Sequence, residues 1–213
     1  MRPVTITVGP LAAASATGIA VNQTVTGAAN MVLTATPVVL DTPRHVLITN
    51  VGNDTGITFT ITGTTFGGAV ISETLTGTSG SSVATVNDFA TVTSIRTSGS
   101  TSASGASAGT NGVAGSSWVR FDDFAPSNTS IQCNVSGTVN YTVQSTLDDP
   151  NSATNPVALN AVTWVSSSDT NVVGQSATKQ SNFLFAPIFA RVLLNSGTGS
   201  VTATFVQDSN GPV

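Results

Sequence analysis

Two alternating runs decide the fold: Ile57-Thr58-Phe59-Thr60-Ile61-Thr62 and Ala69-Val70-Ile71-Ser72-Glu73-Thr74-Leu75-Thr76. The segment Phe66-Gly67-Gly68 lies between them. Alternation of apolar and polar residues with a period of two is the pattern of a half-buried β-strand, and a glycine pair between two such runs is typical of a turn. Residues 57–76 therefore predict an antiparallel β-hairpin with one face toward a core.

The same alternation recurs along the whole chain. Further examples are Val4–Val8, His45–Thr49, Thr91–Ile95, Thr138–Val143 and Ser200–Val206. Thr and Val are β-branched and favour a pleated, half-buried surface. Clusters of Asn, Gly, Ser and Asp separate the runs and are typical of turns, and no segment shows a helical apolar stripe with caps. The sequence predicts an all-β protein.

The segment 98–117 consists almost entirely of Ser, Gly, Ala and Thr, a composition typical of flexible connections. We expect two small antiparallel β-sandwich or jelly-roll-like domains, at residues 1–98 and 118–213, joined by a flexible linker at residues 99–117. A long loop within a single domain is the alternative. Residues 1–40 are rich in small side chains and are a possible extended arm that reaches a neighbouring subunit.

Charge is scarce in this chain. Only 16 of its 213 residues are Asp, Glu, Lys or Arg, which is 8%, and there is one His and one Cys. Acid–base and nucleophilic catalysis need matched groups of these types, so the composition argues against an enzyme, and we expect no catalytic residues and no cofactor. No basic run or long apolar stretch occurs, so neither nucleic acid nor a membrane is an expected partner.

Single polar residues have structural explanations. Cys133 lies in the alternating run Ile131–Val135 and is expected to be a small buried residue on a strand. His45 is expected at the entrance of a strand, loosely paired with Asp41, because no Gly-x-Ser-x-Gly segment marks a nucleophile. Glu73 lacks a second positioned carboxylate, which argues against a role as a catalytic acid.

Two acidic pairs, Asp122-Asp123 and Asp148-Asp149, could in principle hold a hard cation such as Ca²⁺. Neither belongs to an Asp-x-Asp-x-Asp-Gly loop. Asp also accepts hydrogen bonds from nearby backbone amides, and Pro150 drives the residue before it to extended geometry. We therefore expect turns here, and no metal site.

Aromatic residues are the stronger candidates for a contact surface. Phe183-Leu184-Phe185 is apolar on both faces, which in an antiparallel sheet suggests that one face meets another subunit. We predict Phe183, Phe185 and Phe189 as interface residues on this basis. The two tryptophans of the chain, Trp118 and Trp164, are the further interface candidates, since they are the only tryptophans that could form an exposed aromatic platform.

Four segments resemble tailed-bacteriophage virion structural proteins. In the first half these are Ile48–Thr64 and Val70–Gly77, where a glycine turn is followed by a strand that ends in Glu73-Thr74. The resemblance thus implies that Glu73 lies at the end of a strand. In the second half they are Val139–Pro150 and Pro187–Thr202. The resemblance implies a β-rich structural component located in the virion.

Within that group, the low charge and the Ser/Thr-rich strands favour a head decoration (cement) protein. Its expected partners are the major capsid protein or other virion proteins and further copies of itself, as a dimer or trimer. The alternative is a tail or adaptor protein, or a fibre-type module that binds a carbohydrate or receptor.

Overall fold

The computed structural model describes residues 3–122 and 128–207, and it confirms the all-β class, with 55% of the chain in strands and 3% helical. The sheets are antiparallel. The described residues form fifteen strands: β1 Val4–Val8, β2 Ser15–Gln23, β3 Val38–Asn50, β4 Thr58–Thr64, β5 Val70–Thr76, β6 Ser82–Ala84, β7 Phe89–Thr97, β8 Ala106–Gly115, β9 Val119–Arg120, β10 Thr129–Ser136, β11 Val139–Thr146, β12 Val165–Ser166, β13 Lys179–Phe183, β14 Phe189–Gly197 and β15 Ser200–Gln207.

The chain divides into two compact units. Unit 1 consists of Met1–Leu11 and Ala114–Val213, and unit 2 of Ala12–Val113. Two short 3₁₀ helices, Leu159–Ala161 and Thr170–Val172, lie in unit 1. Each unit has its own cluster of buried apolar side chains, as the alternating strands require.

Unit 1 contains two groups of paired strands. One sheet has the order β1-β15-β10-β13, and in the other β11 lies between β12 and β14. Strand β9 and the last two residues of β8 also pair with β14. The inward-facing residues of both sheets join one core, which includes Cys133, Tyr141, Val192, Leu194 and Phe205. The expected burial of Cys133 on a strand is confirmed.

Unit 2 contains strands in the order β8-β3-β7-β4-β5, with β6 paired to β3 and β2 paired to β8. The hairpin predicted at residues 57–76 is confirmed as β4 and β5, with Thr58 opposite Thr76 and Thr64 opposite Val70. Gly68 has a φ of 79° in its turn, a conformation that glycine adopts without a steric penalty. Phe59, Ile61, Ile71 and Leu75 point into the core of the unit.

The flexible linker predicted at residues 99–117 is wrong. Most of this segment is β8, whose residues 106–110 are all buried. The segment is rich in small residues because β8 approaches its neighbour closely: a Cβ on Gly109 would collide with the carbonyl oxygen of Ser15 in β2. Composition alone does not distinguish a flexible connection from a strand packed against another backbone.

The predicted boundary at residue 98 and the arm at residues 1–40 also need correction. Val4–Val8 pairs with residues 201–205 of β15 in unit 1, and Ala12–Val113 forms unit 2 without a break in the chain. Residues 15–23 form β2, which pairs with β8. In the described part of the chain, the first 40 residues therefore contribute strands to its own sheets.

Candidate functional site

The five predicted interface residues all belong to unit 1. Trp118 immediately precedes β9, Trp164 immediately precedes β12, and Phe189 is the first residue of β14. Phe183 is the last residue of β13, and Phe185 lies in the connection between β13 and β14. The structure brings these residues together in two groups.

The first group, here called the aromatic–arginine cluster, consists of Trp118, Trp164, Phe189, Arg120 and Arg191. The Trp118 ring centroid lies 4.9 Å from that of Trp164 and 5.7 Å from that of Phe189, both in edge-to-face geometry. Arg191 lies over the Trp164 ring at 4.4 Å, and Arg120 lies over the Phe189 ring at 5.4 Å. At these distances the electron-rich face of the aromatic ring attracts the positively charged guanidinium group.

Both guanidinium groups of this cluster have further partners. Arg120 forms two hydrogen bonds with the carboxylate of Asp149, at 3.1 and 3.3 Å. Arg191, which is buried, donates from Nε to the side-chain oxygen of Gln144 at 2.9 Å. The Trp118 and Trp164 rings meet at 73°, so they form no common flat platform. The cluster therefore fixes the segments around β9, β12 and β14 in place.

The second group contains Phe183 and Phe185, whose ring centroids lie 5.6 Å apart. Phe183 is only 2% exposed and packs edge-to-face against Phe121 in the core, and Phe189 is 7% exposed. These two predicted interface residues are core residues in this chain, because their strands turn them inward. Phe185 is 44% exposed and reaches the surface.

Phe185 belongs to an exposed apolar surface that we call the apolar shelf, formed by Leu147, Val165 and Phe185. Leu147 is 69% exposed and Val165 60%. All three residues line a shallow depression of about 230 Å³. The remaining lining residues are all uncharged: Ser145, Thr146, Ser166, Ser167 and Ser168.

Sequence reasoning missed Leu147 and Val165 as members of this surface. Leu147 lies directly before Asp148-Asp149, which was a candidate cation site. Val165 lies directly after Trp164, which was a candidate interface residue. The available signal was a large apolar residue within a polar, turn-rich stretch. Adjacent exposed apolar side chains are a feature of contact surfaces rather than of isolated solvent positions.

The predicted pairing of His45 with Asp41 is wrong. His45 Nε2 lies 3.5 Å from the Asp88 carboxylate, and Asp41 instead pairs with the buried Arg44 at 3.1 Å. Glu73 lies within β5 rather than at its end, and its carboxylate accepts hydrogen bonds from the backbone amides of Val86 and Asn87. These contacts serve local structure.

Backbone amides donate hydrogen bonds to both carboxylates of the second acidic pair, Asp148-Asp149, that could have held a cation. Asp148 accepts a hydrogen bond from the amide of Thr163, and Asp149 accepts one from the amide of Asn151. Asp122 is described, whereas Asp123 lies outside the described residues. Within residues 3–122 and 128–207, no three His, Cys, Asp or Glu side chains form a group that could hold a metal ion.

The Cys133 thiol gives a direct test of the unit 1 core. Burial raises its pKa from 9.0 to about 11, a change that lowers the thiolate fraction near neutral pH by about a hundredfold. We expect a thiol-specific reagent to modify the folded protein at least that much more slowly than the denatured protein, as followed by absorbance. Equal rates in the two states would contradict the buried position.

Comparison with protein-family models, curated proteins and solved structures gave no match. Among the described residues, no helix has the length and apolar character required to cross a membrane.

Proposed function

We propose that this chain is a structural component of a bacteriophage virion, a decoration (cement) protein that stabilises the head through contacts between subunits. The observation that carries this proposal is the apolar shelf. Three large apolar side chains are exposed together on unit 1, next to uncharged serine and threonine residues. Such a surface is suited to burial against a partner protein.

The physical basis is the burial of apolar area, worth about 25 cal/mol for each Å² removed from water. A single shelf is a small contact, but a protein repeated over a shell makes the same contact many times. A ligand that binds only the assembled form stabilises that form by mass action. The low charge of the chain, 8% of residues, adds little electrostatic repulsion between neighbouring copies.

The second function considered from the sequence is a fibre-type module that binds a carbohydrate. The aromatic–arginine cluster offers less support for it, because the two tryptophan rings meet edge to face and Arg191 lies over the Trp164 ring. Glycan binding that is lost in Trp164→Ala would nevertheless favour this function over a cement role.

The copy number of the chain in purified virions also distinguishes a cement protein from a fibre or adaptor protein. A cement protein is present in numbers comparable to the major capsid protein, and a fibre or adaptor protein is far rarer.

We expect Val165→Asp to weaken binding to phage heads that lack this protein by tenfold or more, because it places a charge that must lose its hydration on the shelf. Co-sedimentation with purified heads measures the effect. Val39→Asp is the matched control, since Val39 is 73% exposed and lies in unit 2. Equal binding by the two variants would show that the shelf does not contribute to head binding. Absence of binding by the unmodified protein would contradict the cement role.

A further inference from the structure

The strand β1 has a sequence that is the same in both directions, Val4-Thr5-Ile6-Thr7-Val8. Thr5 and Thr7 are exposed, and their hydroxyls pair across the sheet with those of Thr204 and Thr202 at 3.1 and 3.0 Å. Val4 and Ile6 face the core of unit 1 but are only partly buried. Each face of the strand therefore has one chemical character along its whole length.

Strand β1 lies at the end of its sheet. The contrast with its neighbour β15 indicates that no described residue covers the outer side of β1 at Val4 and Ile6: Val201, Ala203 and Phe205 have no exposed surface, whereas these two residues of the same inward-facing layer remain partly exposed. Outside the β1–β15 ladder, the described residues give β1 no further backbone hydrogen bond. An edge strand of this kind is a template for pairing with another strand.

Two other strands at sheet ends carry features that oppose such pairing. Strand β13 begins with Lys179, and β5 contains Glu73, whose carboxylate holds the amides of Val86 and Asn87. Charged residues on an edge are a common means by which proteins prevent pairing with other chains. Strand β1 has no charged residue within its five positions.

We propose that β1 pairs with β1 of a second copy of this chain, antiparallel and about a two-fold axis at Ile6. This register places Val4 opposite Val8, Thr5 opposite Thr7 and Ile6 opposite Ile6. A two-fold contact requires a surface that is complementary to itself, and the symmetric sequence meets that requirement at all five positions. The inward apolar layer and the outward threonine layer both continue across the junction.

The pairing joins two four-stranded sheets into one sheet of eight strands. Five residue pairs bury far less surface than the ~1,200–2,000 Å² that a stable interface buries. We therefore expect a weak dimer in solution. A repeating assembly raises the local concentration of the two edges and strengthens the contact. The inference specifies the partner of one sheet edge and does not depend on the virion role. A failed head-binding experiment would leave it unaffected.

Disulfide trapping tests the register. Directly opposite residues have Cβ atoms about 4.5–5.5 Å apart and diagonal ones about 7–8 Å, and a disulfide needs the shorter distance. We therefore expect Ile6→Cys to cross-link with itself. A mixture of Thr5→Cys and Thr7→Cys should give at least about tenfold more linked dimer than either variant alone. The parent protein is the control, because its Cys133 is buried.

A second pair of variants tests the edge itself. In the Ile6→Cys protein, Thr5→Lys should reduce cross-linking, because it places two like charges diagonally across the junction, whereas Thr204→Lys should not. Both changes remove the same hydroxyl pair, but only Thr5 lies on the edge strand. Thermal unfolding of each variant confirms that it is folded. Cross-linking of Thr5→Cys alone as efficient as that of the mixture, or monomeric sedimentation without cross-linking at high concentration, would overturn the proposal.

Discussion

Gly109→Ala is expected to reduce the free energy of unfolding by about 3 kcal/mol, although it adds one methyl group to a small residue. The new Cβ would collide with the Ser15 carbonyl oxygen and lie 2.6 Å from the carbonyl carbon of Ala16. Both are backbone atoms of β2, so no side-chain rotation relieves the collision. Strands β2 and β8 must separate, and burial is lost on both.

The matched control is Gly112→Ala in the same strand, because a Cβ there meets nothing within 4 Å. Its effect should lie within about 0.5 kcal/mol of zero. Denaturant unfolding followed by far-UV circular dichroism measures both variants. The two tryptophans lie in unit 1, so their fluorescence does not report directly on unit 2. A flexible linker would tolerate both changes equally, and that result would contradict the structure of β8.

Arg44→Leu is expected to cost unit 2 about 1–3 kcal/mol, because it removes the buried guanidinium that donates to the acceptors around it. Arg44 is 2% exposed and donates to the carbonyl oxygens of Ala12 and Asn111, at 3.0 and 2.6 Å, as well as to Asp41. It thus connects the start of unit 2 to β3 and β8. Leucine fills part of the volume but leaves these acceptors without their donor.

The control for this change is Arg96→Leu, which replaces an exposed arginine of unit 2 and should change stability by about 0.5 kcal/mol or less. Urea unfolding measured by circular dichroism compares the two variants. A loss for Arg44→Leu as small as that for Arg96→Leu would show that the buried network does not stabilise the unit.

The same network has a pH signature. Burial alone would raise the pKa of Asp41, but hydrogen bonds from the Ala12 amide and Arg44 outweigh it and hold the pKa below its ordinary value of 3.8. A lowered pKa in the folded state stabilises the protein above the unfolded-state pKa, and this contribution is lost as pH falls through the folded-state pKa. The difference in stability between the unmodified protein and Arg44→Leu should therefore narrow in acid.

Local pattern was sufficient to predict the all-β class, the hairpin of β4 and β5, and the buried position of Cys133. In each case the signal is the alternation of neighbouring residues, which depends only on which side of a strand is buried. The aromatic residues named from the sequence do lie together in unit 1. Their sorting into core and surface depends on where β13 and β14 begin and end, which no local pattern gives.

Two errors have a common physical origin. The segment containing Gly109 has no alternation, because tight packing against β2 buries consecutive residues, and its small side chains have the composition of a flexible linker. The partner of Val4–Val8 lies far along the chain, so neighbouring residues carry no information about it. Local composition therefore predicts neither close contacts between backbones nor pairing between strands that are distant in sequence.

The pairing of β1 with β15 also sets a time scale for biosynthesis. Thr5 and Thr204 are 199 positions apart, and at ~5–20 residues per second the ribosome needs roughly 10–40 s to make the intervening chain. Unit 2 is continuous in sequence, so all of its strands are made within that interval. During this interval the uncharged strand β1 has been synthesised, but its partner β15 has not. The yield of native protein is therefore expected to depend on whether a chaperone or another nascent chain reaches that strand first.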